Sequence, residues 1–455
     1  MEQTENSIKD KAERIRDVIR YIKKFKNAAV VIHLDDRIID SQLFANHIRD
    51  ISIIHEAGLR VIIVPGARGR IDSILQKNSC EWTIKNGSRI TGEDAMPLIK
   101  MAAFDAANIV MTSLAGERLT AVIGNWVRAR GKGVISGVDY GTAGEIDKID
   151  AETLDSVLNS GFIPIFPCIG WSFSGRPYNI SSVELACQIA QKIKADKLFY
   201  LLPNAEISER FFSIPSEIGL SAEGCVPAMN IEELDLFLSA NKKADKKKTA
   251  GLDKDFFGSV VSIAHLARDA VQKGVERVHI LNGSLEGTLP CEIFSDLGSG
   301  TMIYSADYGR FRAMRREDIP SVLSLIRPFV QKKILLPRTK QSLEAQCDDY
   351  IVYELDGAVR ACAALHIYGR EQAEIAGVAV DETCAHIGIG PKMISYLIEK
   401  ARTISVQSVF ILTTQTADWF EKLGFYADSI ESLPEARRAI WNPKRGSKVY
   451  RLRKL

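Results

Sequence analysis

The chain has 455 residues, 46% hydrophobic and 25% charged, and its 59 Lys plus Arg against 57 Asp plus Glu leave a net charge of +2. That balance argues against a nucleic-acid binder, which would carry a basic surplus. No uninterrupted apolar stretch approaches the roughly 20 residues of a membrane span, and the start Met1-Glu2-Gln3-Thr4-Glu5 lacks the basic and apolar regions of a secretory signal. A soluble, cytoplasmic protein with no nucleic-acid or membrane partner is the expectation. The eight cysteines form no Cys-x-x-Cys pair and the seven histidines no His-x-x-x-His, so neither a metal site nor a disulfide framework is expected.

In chain order, residues 8–26 place Ile15, Val18, Ile19, Ile22 and Phe25 at helical spacing among Lys, Arg and Asp, which predicts an amphipathic helix. Strands and helices then alternate: a strand at 29–32, a helix over 41–57 stopped by Gly58, a strand at 59–64 ended by Pro65-Gly66. Further on come the apolar run 162–166, a helix over 183–195 and a strand at 197–202. Strands separated by helices of this length predict a mainly parallel sheet covered by helices. Residues 239–255, with the run Lys242-Lys243-Ala244-Asp245-Lys246-Lys247-Lys248, have no apolar period and read as a solvated loop. A helix over 258–273 and a strand at 277–281 follow. Residues 304–309 read as a linker between a unit of residues 1–303 and one of residues 310–455, where the order of elements changes.

The second unit carries the chemistry. Residues 373–380 read as a strand with small residues in its middle, which let a ligand approach the backbone. The turn Cys384-Ala385-His386-Ile387-Gly388-Ile389-Gly390 leads into a helix opened by Pro391. A glycine turn at a helix N-terminus aims several N–H groups one way and suits phosphate or pyrophosphate; a tight strand-to-helix connection accounts for it equally well. Residues 437–455 hold eight Lys or Arg and no Asp or Glu, which is either a solvated tail or an attractor of anions.

A strand and capped helix at Phe311 to Pro320, a strand at Val409 to Thr414 and the helix ending Trp419-Phe420-Glu421-Lys422-Leu423-Gly424-Phe425 complete an order that resembles the Gcn5-related acetyltransferase fold. Leu335-Leu336-Pro337-Arg338, Ala361-Cys362-Ala363-Ala364-Leu365, Leu412-Thr413-Thr414, Leu433-Pro434-Glu435-Ala436-Arg437-Arg438 and Lys444-Arg445-Gly446-Ser447-Lys448-Val449 narrow the resemblance to the bacterial-type N-acetylglutamate synthase family. It implies acetyl-CoA as co-substrate, no metal, and transfer of acetyl to L-glutamate as the first step of arginine biosynthesis. Arg338 and Arg445 would hold the substrate carboxylates, helped by Leu336 and Ser447; bidentate pairing suits arginine to that task. Val378, Ala379 and Val380 would meet the pantetheine arm and thioester, and Ala385, Gly388 and Gly390 the pyrophosphate. The α-amine must lose a proton before attack, and Glu374 is the candidate general base. Gly377, Ala385 and Gln415 stand where the family commonly has Cys, Arg or Gln, and Arg. Acetylation of another small amino acid or amine therefore stays open, as does a non-catalytic arginine-binding regulator.

Residues 1–303 resemble the amino-acid kinase fold through Pro65-Gly66-Ala67-Arg68, Gly87-Ser88-Arg89-Ile90-Thr91, Tyr178-Asn179-Ile180 and the glycine turn Phe294 to Thr301. Active kinases open with Lys-x-Gly-Gly, where this chain has His33-Leu34-Asp35-Asp36, and Val183 stands in place of a catalytic Asp. Two carboxylates would repel a γ-phosphate, so kinase activity is expected to be absent and the unit regulatory. The resemblance further implies L-arginine as inhibitory effector, at Tyr21, His279, Glu292 and Gly298, and a homo-oligomer in the form of a ring-like hexamer.

Overall fold

The computed structural model describes the chain apart from residues 1–14, 17, 20, 86, 222, 243–253, 295–297, 306–308, 356–357, 382–387 and 454–455, and apart from the side chains of residues 254–256. Most of the predicted lysine-rich loop and part of the predicted linker therefore lie outside the described residues. The chain divides into two compact units, Met1–Ser305 and Ala306–Leu455.

The first unit is built on eight strands: β1 (Ala29–Leu34), β2 (Arg60–Pro65), β3 (Ala121–Ile123), β4 (Ile163–Ile165), β5 (Lys197–Leu202), β6 (Ala228–Asn230), β7 (Arg277–Asn282) and β8 (Thr301–Tyr304). Their spatial order is β6-β8-β7-β5-β1-β2-β4-β3. All run parallel except the end pair β6 and β8, which are parallel to each other and antiparallel to β7. Every residue of β1 and of β5 is buried, as continuous apolar runs require when helices cover both faces. Val30 and Ile32 join the core on one side with Ile63 and Phe199, and Val31 joins that on the other with Ile62 and Tyr200. Two elements had no strong sequence signal. The helix Met96–Gly116 is apolar enough by length and composition to cross a membrane, yet it buries Ile99, Ala103, Ala107 and Leu114 in the core. A second sheet of four short strands joins Pro177–Asn179, Ile169–Trp171, Val127–Gly131 and Gly144–Ile149. Of the predicted N-terminal helix, Tyr21 and Phe25 are buried, whereas Ile15, Val18 and Ile19 are exposed.

The second unit is one seven-stranded sheet: β9 (Gly309–Ala313), β10 (Tyr350–Leu355), β11 (Ala358–Tyr368), β12 (Gln372–Val380), β13 (Ser408–Thr413), β14 (Tyr426–Asp428) and β15 (Lys448–Arg453), in the order β9-β10-β11-β12-β13-β15-β14. Only β12 and β13 pair in parallel, and only through Gln372–Glu374 against Ser408–Phe410. Beyond Glu374 this ladder stops, so the rest of β12 presents an unpaired backbone edge toward β13. Helix Ile389–Thr403 packs Met393, Ile394, Leu397 and Ala401 on one face, with Ile351 and Ala363. Helix Ile319–Gln331 packs Ile319, Val322 and Ile326 on the other, with Tyr350, Cys362 and Ala364. Pro391 falls at the third helical position, not the first; the helix opens at Ile389, and an N–H is still unneeded there.

Candidate active site

The residues predicted to bind the substrate and the predicted base converge although they come from three separate segments. Leu336, Arg338, Glu374, Arg445 and Ser447 all line one pocket of the second unit, beside Ala376, Gly377, Arg437 and Trp441. Glu374 comes from β12 at the last residue of the parallel ladder and is 4% exposed. Arg437 comes from the short helix Glu435–Ala439 and meets it in two places, Nε to Oε2 at 2.6 Å and Nη2 to Oε1 at 3.2 Å. Tyr368 donates to the same Oε2 at 3.3 Å, and burial together with the Glu374 charge pushes the Tyr368 hydroxyl up to about 12. Arg445 donates Nη2–H to the Ile334 carbonyl at 2.8 Å. Burial and the neighbouring charges of Arg338 and Arg437 hold its guanidinium below the ordinary arginine range. Three guanidinium groups thus share the pocket with one carboxylate. Arg437 and Tyr368 were absent from the predicted site. The sequence signals for Arg437 were its place in the family segment Leu433 to Arg438 and among the basic residues near the end of the chain.

Beside this pocket β12 carries the predicted cofactor contacts Val378, Ala379 and Val380. Its pairing with β11 slips between Cys362 and Ala364, and Gly377 lies in that irregularity with φ +62°. A bulge re-aims the residues around it, and glycine takes this left-handed conformation without a steric cost. The unpaired edge beyond Glu374 offers N–H and C=O groups to an extended, amide-bearing arm, as a strand would. Gly388, at φ +70°, starts helix Ile389–Thr403 with no side-chain cap, so the first-turn amides of that helix have no side-chain acceptor from the capping residue. Gly390 lies in the first turn, where a Cβ would come within 3.3 Å of Trp419. Ala385 lies outside the described residues. Among the described residues no three His, Cys, Asp or Glu side chains are grouped to hold a metal ion.

A helix opened by Gly388 without a side-chain cap, a strand pair that parts beyond Glu374 and a cationic pocket suit an acyl donor carrying phosphates and an acidic acceptor. Residues 6–202 match the Amino acid kinase family and residues 319–425 the Acetyltransferase (GNAT) family. The amino-acid acetyltransferase of Vibrio vulnificus strain CMCP6 is 32% identical over 445 residues, 95% of this chain and 96% of that protein. The chain belongs to the amino-acid acetyltransferase family. The Vibrio cholerae member is 30% identical over 442 residues, again 95% of this chain and 96% of the relative. Two crystal structures of N-acetylglutamate synthase from Neisseria gonorrhoeae, each 28% identical, also match. One, complexed with coenzyme A and L-arginine, has a TM-score of 0.75 and covers 97% of this chain and 99% of its own. The other, complexed with coenzyme A and N-acetyl-glutamate, has a TM-score of 0.58 and covers 98% and 99%. This acetyltransferase uses acetyl-CoA to acetylate an amino group.

The kinase-like unit of the acetyltransferase fills its own anion-binding turn. Helix Arg68–Lys77 follows β2, and its Gly69 and Arg70 amides both donate to Asp36 Oδ2. Burial and the neighbouring Asp35 charge push Asp36 above the ordinary carboxylate range. A carboxylate of the chain takes amides that would otherwise be open to a phosphate. Val183 lies in the first turn of helix Ser182–Ile193, and His33 Nε2 lies 3.0 Å from Ser182 Oγ.

The predicted effector residues also gather, with a qualification that the sequence did not reveal. Glu292 lies 2.7 Å from His279 Nδ1 through Oε1, while Oε2 accepts from the Ser299 amide at 2.6 Å and the Gly300 amide at 3.2 Å. The Ser299 and Gly300 amides of the glycine turn are thus already given to Glu292. Gly298 must be glycine here, because a Cβ would lie 2.8 Å from the Glu292 carboxylate. Burial pushes the His279 imidazole down to about 4, against the pull of Glu292. Against the upward push of its own burial, pairing with His279 holds Glu292 below the ordinary range. Tyr21 stacks on Phe25, whose ring also carries Lys197 Nζ at 4.5 Å and the Arg277 guanidinium at 5.5 Å. Lys197 and Arg277, both buried, were not among the predicted residues.

Proposed function

We propose that this enzyme transfers the acetyl group of acetyl-CoA to the α-amine of L-glutamate, with residues 310–455 as the acetyltransferase domain, 304–309 as a linker and residues 1–303 as a regulatory unit without kinase activity. The observation that carries the reading is the charge of the pocket. Arg338, Arg437 and Arg445 against Glu374 leave a surplus of two positive charges, which suits an acceptor with two carboxylates and disfavours a neutral or cationic amine. The Neisseria structures, complexed with coenzyme A together with L-arginine or N-acetyl-glutamate, support the same substrate, product and effector.

In this mechanism Arg338 and Arg445 orient the two carboxylates, with Leu336 and Ser447 completing the wall. The thioester lies along β12, and N–H groups around Val378 to Val380 stabilise the oxyanion as the amine attacks the carbonyl carbon. Glu374 takes one proton from the α-ammonium before attack, directly or through water; the second, lost from nitrogen as the tetrahedral intermediate collapses, goes to the sulfur, and CoA leaves as its thiol without an acyl-enzyme. L-Arginine binds the first unit with its guanidinium at Glu292, sharing that carboxylate with His279 and the 299–300 amides, and lowers turnover. The exposed apolar residues Ile15, Val18 and Ile19 support a homo-oligomer in which a second copy covers them. The deciding experiment is CoA release from acetyl-CoA across a panel of amino acids, with and without millimolar L-arginine. Glutamate is expected to be the best acceptor, and arginine to inhibit. Turnover with a neutral amine but not with glutamate disproves the substrate; indifference to arginine disproves the effector.

A further inference from the structure

Next to Gly377, one of the residues lining the pocket, lies a buried polar group that none of the steps above uses. Tyr350 opens β10 and is 0% exposed, and its hydroxyl proton has no acceptor among the described residues, the neighbouring Arg338 guanidinium being itself a donor. Tyr350 pairs directly with Ala364 on β11, and Ala364 with Ala376 on β12, so the three side chains share one face of the sheet. Both alanines are small enough for the tyrosine ring to lie across them toward the pocket that Ala376 and Gly377 line. Its hydroxyl ends 3.2 Å from where a Cβ on Gly377 would stand. Arg338 is its charged neighbour: burial pushes the Tyr350 hydroxyl above the ordinary tyrosine range, and the Arg338 charge pulls the other way. At neutral pH the group is a phenol with a proton to donate. A buried hydroxyl proton without an acceptor costs about 1–3 kcal/mol. The cost is offset when a ligand supplies the missing acceptor.

We propose that the Tyr350 hydroxyl is a binding group for the acidic acceptor, donating to the carboxylate that Arg338 holds and selecting for an anionic oxygen at the Gly377 end of the pocket. This rests on the reading of the acceptor as a dicarboxylic amino acid. It is tested with the full-length enzyme and the variant Tyr350→Phe, which keeps the ring packing and removes only the donor. The KM for glutamate is expected to rise about tenfold or more, the loss of one hydrogen bond to a charged group, with the KM for acetyl-CoA unchanged. The melting temperature is expected to hold or rise, because a buried donor without an acceptor has been removed. If wild-type enzyme fails to acetylate glutamate, the acceptor reading fails. If wild type is active and Tyr350→Phe keeps the same KM for glutamate, or loses only kcat, the hydroxyl does not bind the carboxylate and this inference is overturned.

Discussion

A carboxylate that accepts from two nitrogens of one guanidinium has only its remaining lone pairs to offer an incoming proton. Glu374 is in that position, held by Arg437 at 2.6 and 3.2 Å with the Tyr368 hydroxyl beside it. The proposed role of taking the amine proton would therefore fall to a side chain that already holds Arg437 at the pocket wall. Glu374→Gln separates the two roles, because the amide keeps the shape, accepts no proton at working pH and weakens the Arg437 contact. If Glu374 is the base, kcat falls about 10²–10⁴-fold and the acid limb of the pH–rate profile changes. A change confined to the KM for glutamate assigns it to holding Arg437, and proton removal to water. Glu374 was singled out as a carboxylate on the small-residue strand and Arg445 through the family resemblance, and the structure brings both to one pocket. Arg437 was not legible as a partner of Glu374: 63 residues separate them, and no local pattern records which arginine folds back onto which strand.

At the scale of elements, periodicity identified what is long and apolar. The buried runs of β1 and β5 were readable because each strand is apolar on both faces. The three-residue strands of the second sheet carry too little alternation to show, and the helix Met96–Gly116 has too even a hydrophobicity to display a face. The bulge in β12 was equally hidden. The sequence marked Gly377 only as a departure from the Cys common in the family, whereas the structure gives the glycine a conformational task at φ +62° and places the Tyr350 hydroxyl 3.2 Å from its missing Cβ. A left-handed conformation costs a residue with a Cβ about 1–2 kcal/mol. Gly377→Ala is accordingly expected to lower the stability of the second unit by about that amount, read from the midpoint of urea denaturation. A midpoint equal to wild type shows that the bulge relaxes around the methyl group and that the glycine is not required by the backbone.

Across the whole molecule, the first unit keeps two imidazoles neutral by burying them, and this sets how the protein responds to acid. Burial pushes His33 down from 6.5 to about 4, against the charge of Asp35, and does the same to His279 against Glu292. A histidine that binds its proton less readily folded than unfolded gives stability that is fully present above 6.5. Below that, the unfolded chain takes up protons the folded chain refuses, and stability falls until the pH passes about 4. Each histidine contributes a slope of about 1.4 kcal/mol per pH unit within that window. Glu292, held below the ordinary range, adds to the loss at lower pH, while Asp36, held above it, works in the opposite sense as it is protonated. The histidines lead because their window lies higher and there are two of them. The unfolding free energy of the first unit is therefore expected to decline steadily from pH 6.5 to about pH 5, above the range in which ordinary carboxylates titrate. His33→Asn should remove about half of that slope while keeping a polar group near Ser182, because it leaves His279 as the remaining buried imidazole of this pair. Urea midpoints measured at half-unit intervals through the window decide the point. A wild-type profile flat between pH 6.5 and 5, or a variant with the full wild-type slope, means that the buried imidazoles are solvated or already charged when folded.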